Sequence, residues 1–314
     1  MTYPSREEIL TAFRSHDIQP PDLTRLLQHW PAGISPHLEL LRKDIDAWPE
    51  WVVPPGKTLE KSKQADWGFM HAMWFPYEGY EGIWIATLLN VWLFLWDDEF
   101  DTRAGSMWEN FPAAEKFRQE TINFVRSGLG LAASDDDNRN PYDVTSDKRI
   151  YGLGEILKEI RGTYSVFQRK IPMREIELYI REQEYEQKIR VSGVVPSVEQ
   201  FCELAYGYPI LELPAPVFED PDFKIIWHHA AGLLAAVNDV YSLRKEIAND
   251  DAIDSLVAIF YAQLGSNRSI DAAWQAIVNL ITDRIKEFDE AADRLSTTKR
   301  YNDIEALSDN NGTA

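Results

Sequence analysis

Between Gly82 and Trp96 the chain runs through 15 residues interrupted only by Thr87 and Asn90, then meets Asp97-Asp98-Glu99-Phe100-Asp101. A membrane helix needs ~20 apolar residues. This run is shorter and stops at a carboxylate, so it reads as a buried core helix. A fully apolar helix demands other elements packed around it, and the remaining chain offers helices for that purpose.

Helical periodicity recurs from end to end, and no run alternates convincingly with period two. Glu7, Ile9, Leu10 and Phe13 open a first helix. Leu23–Trp30 and His37–Trp48 read as amphipathic segments, and Pro49, Pro54 and Pro55 break the chain before a segment Leu59–Trp74. Ala132–Asp147 is polar and reads as a surface loop. Helical pattern resumes over Lys148–Gln168 and Met173–Arg190, and Ser197 is placed to cap a helix over Val198–Tyr206. Gly207, Pro209, Pro214 and Pro216 break the chain again before strong helices at Pro221–Ile247 and Ser269–Leu295. No internal repeat and no long linker divides the 314 residues, so the expectation is all-α: one domain, 1–314, an antiparallel helical bundle around a deep apolar cavity.

Charge narrows the partners. Lys and Arg total 32 against 51 Asp and Glu, a formal net charge of −19. That surface repels a phosphate backbone or an anionic bilayer, so nucleic acid and stable membrane insertion are not expected. An anionic small molecule could still bind if local cations, such as metal ions, were supplied. Cys202 is the only cysteine, which excludes an internal disulfide and suits the cytoplasm. The first residues have no basic stretch followed by an apolar one, so no secretory signal is expected.

The carboxylates after Trp96 carry the first chemical signal. Asp97 and Asp101 are one helical turn apart, with Cβ atoms about 5–6 Å apart. Acids at a helix C-terminus oppose the helix dipole and repel one another. A divalent cation removes that repulsion, and Mg²⁺ favours one or two carboxylates plus substrate phosphate oxygens. Phe94 and Leu93 lie three and four residues before Asp97, on the side toward it, and so are expected as apolar walls. A solvated acidic helix end is the bland alternative, and this motif alone leaves the two about even. Nine of the eleven Trp lie between Trp30 and Trp108, which reads first as core packing and second as a pocket with π-faces, Trp74 among them.

A second signal follows at Asn238-Asp239-Val240-Tyr241-Ser242-Leu243-Arg244-Lys245-Glu246. Asn238, Ser242 and Glu246 at i, i+4, i+8 span only about 80° of a helix circumference, so three hard oxygen ligands point one way. The half-helix before them is apolar, as in the first motif, and Lys245 could add a cationic contact to phosphate.

The two motifs together, in this order, resemble those of microbial, fungal-type class I terpene cyclases over about residue 67 to the C-terminus. The resemblance implies an isoprenoid diphosphate substrate, most simply farnesyl diphosphate. It also implies about three Mg²⁺ ions held by Asp97, Asp98, Asp101, Asn238, Ser242 and Glu246, and a chain acting as monomer or homodimer. Arg300-Tyr301 resembles the pair that ends many family members and hydrogen-bonds diphosphate. Prenyl-chain elongases carry two aspartate-rich motifs and are disfavoured.

Two departures stand out. The family places a diphosphate-sensing Arg soon after a Pro-Ser-Val-Glu-like start, but here Pro196–Glu199 leads through Cys202 to Gly207 without one. Only Ser296–Lys299 separates Leu295 from Arg300, where the family normally has another helix. A shortened natural variant and an imperfect gene model both fit. The alternative function is therefore a relative that binds isoprenoid diphosphate without turnover. His228-His229 reads as packed rather than ligating, because adjacent residues do not share a helix face.

Overall fold

The computed structural model describes residues 4–297 apart from 54, 102–104, 133–144, 199–216, 218 and 249–254. The expected loop from Ala132 and the expected helix over Val198–Tyr206 therefore lie largely outside the described residues, as do Arg300 and Tyr301. All regular elements among the described residues are helical. In chain order they are α1 (Arg6–Arg14), α2 (Thr24–Leu27), α3 (Leu38–Asp46), α4 (Pro49–Val52), α5 (Lys57–Gln64), α6 (Trp67–Trp74), α7 (Tyr80–Asp101) and α8 (Phe111–Gly128). They continue as α9 (Lys148–Tyr151), α10 (Gly154–Thr163), α11 (Val166–Ser192), α12 (Pro221–Ala248), α13 (Leu256–Gln263) and α14 (Ile270–Thr297).

The described residues form two compact units, one within 30–187 and one within 4–29 and 188–297. In the first unit the apolar run is the core helix, as expected. Ile83, Leu88, Leu89, Val91, Trp92, Trp96 and Phe100 of α7 are buried. Trp96 is enclosed by Phe100, Phe117 and Tyr179 at ring-centroid distances of 4.7, 5.7 and 6.0 Å. Its indole N–H donates to Thr121 Oγ1 at 3.0 Å. The core reading of the Trp cluster thus holds for Trp92 and Trp96.

Three sequence-derived boundaries need correction. Leu59–Trp74 is two helices, divided where Asp66 takes a left-handed backbone, φ +47°. That conformation is held because the Asp66 carboxylate accepts from Phe69 N–H and pairs with Arg42, its Oδ2 lying 2.6 Å from Nη2. Lys148–Gln168 breaks after Tyr151 and again at Tyr164, and the last long helix of this unit starts at Val166, not Met173. Pro172 sits inside α11, past its first turn, where it removes the N–H that would bond Gln168 O. At the end of α8 the left-handed Gly130 (φ +63°) lets Leu131 N–H reach back to Arg126 O, closing the helix.

In the second unit α12 and α14 pack along their lengths, with α13 against both. Ala236, Val240 and Leu243 of α12 and Ala273, Ile277 and Ile281 of α14 are all buried. Buried Asp239 accepts the N–H of Leu256 at 2.6 Å, capping α13 from another helix. Arg14 donates to Ile247 O at 3.1 Å, satisfying a carbonyl at the end of α12.

Candidate functional site

In the first unit, α7 carries the acidic motif on its last turn. Asp97 is half-buried and Asp98 exposed; Asp101 is the last helical residue. Phe94, one turn earlier, is 49% exposed, and its ring lies 5.0 Å from that of Trp67 on α6. Trp74, also on α6, is 41% exposed. Phe94 thus presents an exposed aromatic face one turn before the carboxylates, beside the α6 aromatic Trp67. Leu93 departs from expectation: it is 5% exposed and belongs to the core cluster. The helix turns Leu93 toward the packed side of α7 and Phe94 away from it.

His71 holds α6 to α7 and was not singled out by sequence reasoning. It is fully buried, its Nδ1 lies 2.9 Å from Trp67 O, and its Nε2 lies 2.9 Å from Asn90 Nδ2. A carbonyl can only accept and an amide nitrogen can only donate, so the neutral Nδ1–H tautomer satisfies both bonds. Burial pushes its pKa down to about 4, against the smaller opposing effect of the Trp67 carbonyl. Asn90, one of two polar interruptions in the apolar run, is thereby explained. The other, Thr87, bonds its own helix at Ile83 O, 2.6 Å away.

Glu99 serves a different purpose from its neighbours. Arg149 Nη1 lies 2.7 Å from its Oε2, and Ser106 reaches the same oxygen from Oγ at 2.6 Å and from the backbone N–H at 3.2 Å. Burial works against the charged carboxylate, but Ser106 and Arg149 hold it below the usual carboxylate range. Arg149 is itself pinned by Asp147, its Nη2 2.5 Å from Oδ2.

In the second unit, α12 carries Asn238 exposed and Ser242 and Glu246 half-buried along one face. The Ser242 hydroxyl hydrogen-bonds the Glu246 carboxylate, so these two side chains converge as the i, i+4 spacing predicts. Lys245 is exposed. His229 packs as expected, with Nε2 2.8 Å from Glu287 Oε2, and burial lowers its pKa.

Among the described residues no three His, Cys, Asp or Glu side chains converge into a self-contained metal cage. The donors offered by the two motifs are carboxylate, amide and hydroxyl oxygens. That chemistry fits a hard cation completed by water and by a ligand's own oxygens, and does not fit a structural zinc site.

The architecture is that of the terpene synthases. The chain superposes on α-eudesmol synthase with a TM-score of 0.68, 16% identity, and coverage of 85% of this chain and 86% of that one. Germacradien-4-ol synthase from Streptomyces citricolor gives 0.66, 17%, and 85% of both chains. The chain belongs to terpene synthase family 2, C-terminal metal binding, which matches residues 88–287 and so takes in both motifs. Among its relatives, the sesquiterpene cyclase hepA of Aspergillus oryzae is 27% identical over 88% of this chain and 77% of its own length. The terpene cyclase braA of Annulohypoxylon truncatum is 26% identical over 83% and 71%. A 4-epi-cubebol synthase of Streptosporangium roseum, described as cyclising (2E,6E)-farnesyl diphosphate, is 23% identical over 73% and 70%. The chain is thus a terpene cyclase of a metal-binding family, and no helix among its described residues is long and apolar enough to cross a membrane.

Proposed function

We propose that the chain ionises farnesyl diphosphate and cyclises the resulting cation to a sesquiterpene, as one catalytic domain using Mg²⁺. The single observation that carries this reading is the pair of hard-oxygen ligand sets, each set on a helix whose preceding turns are apolar. Asp97, Asp98 and Asp101 would hold metal from α7, and Asn238, Ser242 and Glu246 from α12. Bound Mg²⁺, up to three ions, would supply positive charge to the departing diphosphate oxygens.

The chain's own residues then have distinct tasks. The exposed ammonium of Lys245 is available to a diphosphate oxygen. Arg300 and Tyr301 are proposed for the same anion from the end of the chain. Loss of diphosphate breaks the C1–O bond and leaves an allylic cation, which a distant double bond of the same chain attacks to close a ring. Phe94 and Trp74 offer π-faces to that cation, while Leu93 stays in the core cluster. An apolar wall also keeps water from quenching it. Loss of a proton, with diphosphate as the acceptor, ends the sequence without a dedicated side-chain base.

The test is incubation of purified protein with farnesyl diphosphate and Mg²⁺, with products read by gas chromatography–mass spectrometry. A cyclic C15 product that vanishes with EDTA is expected. Its absence from folded protein would overturn the reading in favour of binding without turnover. Asp97→Ala and Asn238→Ala should each abolish product at unchanged helical circular dichroism.

A further inference from the structure

We infer that Arg149 is a positioning residue for the acidic motif: it clamps Glu99 on the back of the last turn of α7 and so presets that turn for metal. Glu99 lies two residues from Asp97, about 200° round a helix of 3.6 residues per turn. It therefore faces away from Asp97, and its partners are drawn from chain segments outside α7.

Two segments close on it. The first folds back directly after the helix: Met107 N–H bonds Glu99 O at 3.1 Å, and Ser106 bonds Glu99 Oε2 twice. Gly105 permits this approach, because a Cβ there would overlap the carbonyl oxygens of Glu99 and Asp98. The second segment is the start of α9. Arg149 Nη1 takes Glu99, while its Nε and Nη2 fork onto Asp147 at 2.9 and 2.5 Å. The guanidinium lies 4.8 Å over the Phe117 ring, and Arg149 O accepts from Trp92 Nε1 at 2.6 Å. Arg149 is thus held at its guanidinium by Asp147 and Glu99 and at its backbone carbonyl by Trp92, which ties it to α7 at two points.

The physical need is clear. Four carboxylates on the C-terminal turn of a helix repel one another and the helix dipole. Without a cation that turn would favour unwinding. Arg149 neutralises one carboxylate from the side where metal is not needed, and leaves Asp97 on the opposite side. A partner that orients a ligand-bearing element in this way typically changes metal affinity by about 10–100-fold when removed.

The inference rests on the metal role proposed for Asp97, so both are tested in one experiment. Mg²⁺ is titrated calorimetrically into protein with inorganic diphosphate, for wild type, Arg149→Gln, Arg149→Lys, Glu99→Gln, the Arg149→Gln/Glu99→Gln double variant and Asp97→Ala, alongside thermal melts. Arg149→Gln and Glu99→Gln should each weaken metal binding about tenfold, and the double variant should be no worse than either. Arg149→Lys keeps the charge but cannot fork between Glu99 and Asp147, so it should fall between wild type and Arg149→Gln and provides a milder variant if the latter unfolds. Wild-type metal affinity in Arg149→Gln and Glu99→Gln, with only a lowered melting temperature, would overturn the inference while Asp97→Ala still loses binding. Unchanged binding in Asp97→Ala would instead remove the metal reading, and the clamp with it.

Discussion

His71 makes stability depend on pH in a window where few other groups titrate. Its pKa is pushed down to about 4 in the fold by burial, from 6.5 for an ordinary histidine. Between those values the unfolded chain binds a proton that the folded chain refuses, so stability falls as pH falls from about 6.5 towards 4 and levels off below. The difference of about 2.5 units, at 1.36 kcal/mol each, gives a loss of about 3 kcal/mol across the window. His228 and His229 are also shifted down by burial and contribute in the same direction. Carboxylates such as Asp66 and Glu177, held low by their arginines, begin to matter only near and below the ordinary carboxylate values. The assay is urea unfolding of wild type and His71→Gln at several pH values from 7.5, above that window, to 4.5, near its lower end. His71→Gln should be less stable at pH 7.5, and its curve should be flatter than wild type's by most of the 3 kcal/mol. Parallel curves would refute the reasoning. So would an NMR titration placing His71 near 6.5, since the Trp67 and Asn90 bonds would then not hold the neutral ring.

Other consequences follow from packing and from the ligand sets. Trp96→Ala empties the centre of the first unit's core and should cost about 3–5 kcal/mol, read by denaturant melts; a loss under 1 kcal/mol would mean that the ring cluster repacks. Gly68→Ala brings a Cβ to 2.9–3.0 Å from Arg42 Cγ, Cα and N, where α3 and α6 meet. Overpacking of about 1–3 kcal/mol should outweigh the helix-propensity gain of about 1 kcal/mol, and a stabilised variant would contradict the closeness of that approach. Glu246→Ala removes a carboxylate ligand and the partner of Ser242, so the Mg²⁺ concentration for half-maximal turnover should rise; an unchanged metal titration would count against its role.

Local pattern and spatial outcome part company at identifiable residues. The buried status of the run ending at Trp96 was legible from its apolar composition. The helical class and the convergence of Ser242 with Glu246 were legible because each depends on a period of 3.6 residues within one segment. The packed status of His229 was legible for the same reason. The division at Asp66 was not, since its left-handed backbone is held by Arg42, 24 residues earlier. Nor was the difference between Leu93 and Phe94: both lie near the Asp97 side of an ideal helix, and only the packing around α7 buries one and leaves the other exposed.

The acidic motif shows the same boundary most sharply. Its sequence determined that four carboxylates crowd one helix end and that a cation would relieve them. Tertiary structure decided that Glu99 is answered by Arg149 and Ser106, and that Asn90 inside an apolar run is answered by His71. The physical reason is that a helix fixes the direction of every side chain along it, while the partner each one meets is set by which distant segment packs there. Sequence could therefore locate the two motifs, and packing decided which of their side chains are buried, exposed or paired.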